Sequence, residues 1–229
     1  LRLVLAGLLF SIGGITVAAE PINPANESDD VDICEPFMDG KVDASLLTTM
    51  LAAAENGHLY RIQKSTSRMA FCVHSQLSEI EGEFRDFRGG LALEPMDNGQ
   101  GQAMVVVNTG SLDVKGMFIE KLIKGKSFFD VENNPEILFV SKGFKWISPS
   151  SARLRGDLTM RGITRPVVFE VSLTALDEPR NDDTDKILVK ATAEIDRTAF
   201  GMEALPDIVD KTVRLCMTVE ALKYKPDNV

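Results

Sequence analysis

From Tyr60 to Ala221 the side chains change character with a period of two, and this constrains the fold more than any other feature. Met69, Phe71 and Val73 alternate with Arg68, Ala70, Cys72 and His74. Leu154, Gly156, Leu158 and Met160 alternate with Arg153, Arg155, Asp157 and Thr159. The same rhythm recurs in Ile80–Phe84, Phe87–Leu93, Ala103–Val107, Ile137–Trp146, Val167–Leu173, Val189–Ile195 and Val213–Ala221, with slips near Asp86 and Gly143 that read as bulges. Successive side chains of a strand point to opposite faces, so alternation means a sheet with one dry face and one wet face. About eight such strands joined by short turns, Asn98–Gly101 among them, predict an all-β chain. An eight-stranded antiparallel barrel removes the two sheet edges that an open sheet would expose; a two-sheet sandwich is the competing architecture.

Two segments have helical spacing instead. Asp43–Gly57 carries Leu46, Leu47, Met50, Leu51 and Ala54 on one face, with Asp43 placed to cap its start and Gly57 its end. This N-terminal amphipathic helix has no Lys or Arg, which argues against a membrane-surface role. Lys115–Lys124 places Phe118, Ile119, Leu122 and Ile123 together and is followed by Phe128-Phe129-Asp130. A short apolar helix inserted into a barrel is expected to cover an open end as a lid, with the Phe pair as its hinge; plain core packing is the alternative.

The dry face mixes large residues with Gly82, Gly89, Gly156, Ala191, Ala193 and Ala221. An eight-stranded barrel is either just filled or holds one small ligand. Small residues on several strands leave volume, or they make room for bulky neighbours. If a cavity exists, its lining is expected from Phe71, Val73, Phe84, Phe87, Phe139 and Phe144, from Trp146, Leu158, Met160, Phe169 and Val171, and from Ala191, Ala193, Leu215 and Met217. The lid segment would add Phe118, Leu122 and Phe128. Such a cavity is dry and suits an apolar chain, whose burial contributes about 0.8 kcal/mol per CH2.

Outside this pattern, Leu3–Val17 is apolar, and Val17-Ala18-Ala19 puts small residues where a signal peptidase cuts. The expected organisation is a cleaved signal peptide over 1–19, an acidic leader and amphipathic helix over 20–57, and the barrel over 58–229. Export would expose Cys34, Cys72 and Cys216 to an oxidising compartment. Three is odd, so one disulfide among them plus one free thiol is expected; three buried thiols are the alternative. The formal charge of −9 and two His argue against nucleic-acid binding. The acidic balance also suggests a chain that approaches membranes without sticking to anionic lipid.

Four motifs in order resemble the YceI-like family of lipocalin-like periplasmic barrels. Tyr60–Phe71 with Gly82-Glu-Phe84-Arg-Asp-Phe87-Arg-Gly89 resembles the family's opening strands. Phe128-Phe129-Asp130 with Asn134-Pro135-Glu-Ile137-Leu-Phe139 resembles its "FFD" segment. Gly156–Val167, with Arg161, Gly162, Thr164 and Pro166, resembles its hairpin, and Ile195–Met202, with Arg197, Phe200 and Gly201, its final turn. The resemblance implies a periplasmic barrel that holds a long isoprenoid chain, such as a polyprenyl lipid or quinone tail, as ligand, with no cofactor and no catalytic activity. The family commonly carries a His before the first-strand Ser, where this chain has Thr66-Ser67, and His74 sits one position early for its second His. Physically, Arg161–Pro166 reads as a tight hairpin, Arg197–Gly201 as a corner whose Phe plugs the barrel end, and Asp130 as a brace of the lid turn.

No enzyme signature accompanies this pattern. His58 and His74 are the only histidines, and there is no H-x-H, H-E-x-x-H, Walker loop or G-x-G-x-x-G. The expected function is a periplasmic carrier of a polyisoprenoid or similar long-chain amphiphile, making transient inner-membrane contact. The rival is a filled barrel that acts as a stress-response or interaction module; a quinone-linked redox accessory using the three cysteines is a weaker third.

Overall fold

Strand β11 (Val209–Lys223) closes the molecule on itself, because one strand pairs with the beginning of the sheet along two different stretches. The computed structural model describes residues 44–93, 101–175 and 186–225. These lie in one compact unit, Asp32–Val229. The proposed signal peptide, the acidic leader, Cys34 and most of the Asn98–Gly101 turn fall outside the described residues.

Among the described residues eleven strand segments form one antiparallel sheet. They are β1 (Leu59–Ile62), β2 (Arg68–Ser75), β3 (Glu79–Phe84), β4 (Phe87–Leu93), β5 (Gly101–Asn108), β6 (Leu112–Val114), β7 (Glu136–Ser148), β8 (Ser151–Met160), β9 (Ile163–Ala175), β10 (Lys186–Asp196) and β11. β11 pairs with β2 through Val213↔Val73 and with β1 through Ile62↔Ala221. β1 and β2 are therefore one stave, interrupted at Lys64–Thr66. In the same way β3 and β4 are split at Arg85-Asp86, and β5 and β6 at Thr109–Ser111. The result is a closed eight-stranded barrel, as the alternation implies, and not a sandwich. The slip at Gly143 is a register shift in β7 against β8. The slip at Asp86 is a strand break, with the Asp86 N–H donating to Ser111 Oγ at 2.9 Å.

Burial follows the alternation. β10 is buried at Val189, Ala191, Ala193 and Ile195 and exposed at Lys190, Thr192 and Glu194. Outer-face charges meet across strands, as in Arg153 with Glu170 at 2.8 Å and Lys142 with Asp157 at 2.6 Å. Such exposed pairs contribute little to stability and serve solubility.

The N-terminal helix α1 (Ala44–Glu55) covers part of the outer wall. Leu46, Met50 and Ala53 bury themselves against Leu59, Ala92 and Met104. The stripe follows i, i+4, i+7, so Leu51, expected on it, is rolled out to 47% exposure. Helix α2 (Met117–Lys124) packs on β6. Among the described residues β6 pairs only with β3, so the wall is incomplete between β6 and the start of β7, and α2 with its following turn stands there.

The hairpin between β8 and β9 is a two-residue turn, Arg161 (φ 54°) and Gly162 (φ 70°), closed by Met160↔Ile163. Two positive φ values in succession match the right-handed twist of the strands. Pro166 lies within β9. It sits opposite Asp157, three pairs from the hydrogen-bonded closing pair of the hairpin and so in a non-hydrogen-bonded pair, and its nitrogen faces away from β8. β10 pairs with β9 only from Glu170 onward, and the missing N–H therefore costs no ladder bond.

Candidate ligand cavity

The barrel encloses a cavity of about 320 Å³. That is at the lower end of the roughly 300–1,000 Å³ typical of small-molecule sites. Its wall is hydrocarbon and aromatic. Among the described residues only Ser75, Ser78 and Arg197 contribute polar side chains to it.

Two of these three are visibly engaged within the protein. Ser75 Oγ donates to the Ser78 carbonyl at 2.6 Å. Arg197 is 3% exposed, and its guanidinium donates to the carbonyls of Asp210 (2.9 Å), Val209 (2.8 Å) and Met202. The Phe128 ring lies 5.8 Å from the guanidinium carbon. Burial lowers the Arg197 pKa from its ordinary value, with Asp196 opposing the shift. Asp196 accepts from the Thr198 hydroxyl and N–H at 2.7 and 2.9 Å, and these bonds hold its carboxyl below the usual range. The turn Arg197–Phe200 then ends at Gly201 (φ 75°), with Phe200 fully buried. Arg197 is thus a strut that ties the β10–β11 connection across one end of the barrel.

Most of the expected lining residues reach the cavity. Phe71, Val73, Phe84, Phe139 and Phe144 do, as do Leu158, Met160, Phe169 and Val171. Ala191, Leu215, Met217, Leu122 and Phe128 do so as well. Four expected residues are not on the wall. Phe87 and Ala193 are buried in the packed core beside it. Trp146 is half-buried and stacks edge-on against Phe144 at 5.0 Å, which puts Phe144 between it and the interior. Phe118 is 87% exposed, because α2 turns Ile119, Leu122 and Ile123 inward and leaves Phe118 outside.

Phe129, which is not among the expected lining residues, is also on the wall. Its ring lies tilted against Phe71 at 5.8 Å and edge-on to Phe84 at 5.6 Å. Phe128 and Phe129 are both buried, so the pair anchors the lid instead of hinging it. Asp130 (φ 48°) braces the turn by accepting from Asn133 Nδ2 at 2.9 Å and Asn134 Nδ2 at 3.3 Å. The signal for Phe129 was its place next to Phe128 in a segment with no strand period.

The small inner residues do two different jobs. A side chain on Gly82 would meet the Phe71 ring at 2.5 Å, and one on Gly156 would meet the Phe139 ring at 2.6 Å. These glycines make room for rings, as the filled-core alternative supposes. Ala191, by contrast, faces open volume. The barrel is therefore packed at its glycine sites and hollow elsewhere.

One end of the barrel carries the cavity mouth. It is formed by the Ser75–Glu79 turn, α2, the Arg161-Gly162 hairpin and the 197–208 connection. Gln76 binds this rim together, with its N–H donating to the Ile208 carbonyl at 2.9 Å. Arg161 does the same from the other side, donating to the carbonyls of Gly201 at 2.5 Å and Lys126 at 3.2 Å. Leu77, Ile119, Leu122, Leu205 and Ile208 line the cavity yet are exposed, which marks this end as its opening.

Cys72 and Cys216 are half-buried free thiols on the outer faces of β2 and β11. Register places Cys72 opposite Arg214 and Cys216 opposite Ala70, so they are diagonal neighbours. Burial, reinforced by Cys216, pushes the Cys72 thiol up. His74 is exposed on the outer face, and neither it nor His58 is on the cavity wall. Among the described residues no cluster of His, Cys, Asp and Glu could hold a metal ion, and no helix is long and apolar enough to cross a membrane.

This architecture has counterparts. The chain is 30% identical over 153 residues to a UPF0312 protein of Pseudomonas putida, covering 66% of this chain and 78% of the relative. It is 33% identical over 101 residues to a UPF0312 protein of Yersinia pseudotuberculosis, covering 44% and 52%. Among solved structures, BcnA of Burkholderia cenocepacia shares the fold with a TM-score of 0.61 at 21% identity, over 69% of this chain and 98% of that one. A polyisoprenoid-binding domain from Saccharophagus degradans gives a TM-score of 0.53 at 12% identity, over 71% and 97%. The model of the YceI-like domain matches residues 60–221, from the first stave to the last. With the closed barrel, the lid segment and the Arg197 corner all inside that match, the chain belongs to the YceI-like family.

Proposed function

We propose that this protein is a periplasmic carrier that holds the chain of a polyisoprenoid, or a comparable long amphiphile, inside its barrel. The observation that carries this reading is the hollow, almost purely apolar interior with a mouth at one end. A wall in which Arg197 and Ser75 are already hydrogen-bonded within the protein has little to offer a polar substrate. It suits hydrocarbon, at about 0.8 kcal/mol per CH2 buried. The headgroup then stays at the mouth, beyond the lid. The polyisoprenoid description of the fold neighbour from Saccharophagus degradans favours an isoprenoid over a straight acyl chain. Among the described residues the same wall contains no His, Cys, Asp or Glu, which favours binding over catalysis.

Native mass spectrometry of protein purified without detergent, followed by organic extraction and lipid mass spectrometry, tests the proposal. The expected result is a stoichiometric adduct that releases a polyprenyl species. Protein that stays free of adduct after incubation with polyprenol and with ubiquinone would overturn it.

A further inference from the structure

Apolar side chains left in water are not spread evenly over this molecule. Among the described residues the exposed large ones include Leu51, Ile147 and Val168 on the walls and far end, but most gather around the mouth. Leu77 is 90% exposed, Phe118 87% and Met117 82%, with Ile119, Leu122, Leu205 and Ile208 beside the opening. Scattered single apolar residues need no explanation, whereas a contiguous exposed cluster marks an interaction surface.

The charge beside this cluster has the opposite sign to the whole. The chain carries −9, yet Lys115–Lys126 holds four lysines and one acid, Glu120. Lys115, Lys121 and Lys126 are exposed, and Lys124 pairs with Glu120 at 2.7 Å. Arg161 and Arg165 extend the cationic side. Acids stand at this end too: Glu79 in the Ser75–Glu79 turn and Glu132 after α2 are exposed, Glu203 and Asp207 sit on the β10–β11 connection, and Asp210 is in the first turn of β11. Apolar side chains fringed by lysines on one edge are the composition of a surface that seats in the headgroup region of an anionic bilayer.

We infer that the mouth end docks on an anionic phospholipid bilayer, with Met117 and Phe118 of α2 inserted and Lys115 and Lys121 at the headgroups. The purpose of this docking rests on the carrier reading: a chain leaving the bilayer would meet Ile119 and Leu122 before water. The geometry does not rest on it. The lysine edge of α2 runs locally against the global acidity that suggests avoidance of anionic lipid.

The chain's single Trp, Trp146, lies on β7 at the far end and supplies a built-in reference. Phe118→Trp and, as a far-end control, Ile147→Trp are mixed with vesicles of phosphatidylcholine and phosphatidylglycerol containing a brominated lipid. The expected result is quenching of the added fluorescence in Phe118→Trp, with little change in Ile147→Trp or in the parent. Lys115→Glu with Lys121→Glu should weaken vesicle partitioning about tenfold or more. Equal quenching at both positions, or none at 118, would overturn the inference. So would a protection of the 118 position that grows with protein concentration or persists without vesicles, because a second copy or another segment of this chain would then cover the patch. Bound lipid is measured on the same samples by extraction. A lipid-loaded protein that ignores vesicles sinks the docking alone, and a docking protein that never holds lipid sinks the carrier reading alone.

Discussion

Phe71 stands directly opposite Gly82 across β2 and β3, and its ring fills the space that a side chain on Gly82 would occupy. The same ring touches Phe84 at 6.0 Å and Phe129 at 5.8 Å, so one glycine permits the aromatic cluster that seats the lid. Substitution at Gly82 is therefore an overpacking experiment. Gly82→Val is expected to destabilise the barrel by about 1–3 kcal/mol in urea unfolding. Adding Phe71→Leu should recover part of that loss, and strict additivity of the two changes would contradict the packing assignment.

Ala191 is the better place to fill the cavity. Its side chain faces open volume, whereas a residue at Gly156 would strike the Val140 carbonyl and the Phe139 ring. Ala191→Phe is expected to lower lipid uptake about tenfold or more while the unfolding midpoint stays close to that of the parent. Gly156→Leu should instead lose stability by roughly 1–3 kcal/mol, which makes it useless as a cavity blocker. Uptake measured by native mass spectrometry, alongside thermal unfolding, separates the two effects.

Arg197 holds three backbone carbonyls at the end of the barrel. Hydrogen bonds to a charged group contribute about 1.5–3 kcal/mol each, and unpaired buried carbonyls add a penalty. Arg197→Met is expected to cost roughly 3–5 kcal/mol. Arg197→Lys should recover little, because an ammonium cannot present a planar fork to three separated acceptors. Denaturant titration of both variants checks this; a Lys variant as stable as the parent would refute the strut.

Asp86 and Asp196 give the fold a defined acid response. At Asp86 burial raises the pKa, but hydrogen bonds from Asn108 and Lys64 outweigh it and leave the carboxyl below its ordinary 3.8. At Asp196 the Thr198 bonds depress it below the same value. Depressed carboxyls stabilise the folded state above the unfolded pKa, and that contribution disappears as pH falls through the folded one. Stability should therefore be flat near neutrality with respect to these groups and fall below about pH 4. Asp86→Asn and Asp196→Asn should each be less stable than the parent at neutral pH and converge with it in acid.

Much of the architecture was legible because a strand's inside and outside are decided locally. Val189, Ala191, Ala193 and Ile195 could be assigned inward without knowing their partners, since each residue turns the side chain by half a revolution. The strand breaks were half-legible. Asp86 interrupts the rhythm, but whether the interruption is a bulge or a full break depends on Ser111, which arrives from another stave to bind its N–H. The lid was the weakest reading. A helix of eight residues has no fixed inward face until it is docked, so Phe118 and Leu122 looked equivalent in sequence and separated only on β6. Phe129 had no strand period to identify it.

The sequence by itself determined the all-β class, the inward set of each stave, the turn at Arg161-Gly162 and the family. Tertiary structure alone decided which of the small inner residues hold a ring and which face empty space, because that depends on cross-strand register: Phe71 meets Gly82, while no ring fills the volume in front of Ala191. It also decided that the apolar and basic side chains of α2, Leu77 and Ile208 share one rim. Those residues are far apart in the chain, and only closure of the barrel by β11 brings them to the same end.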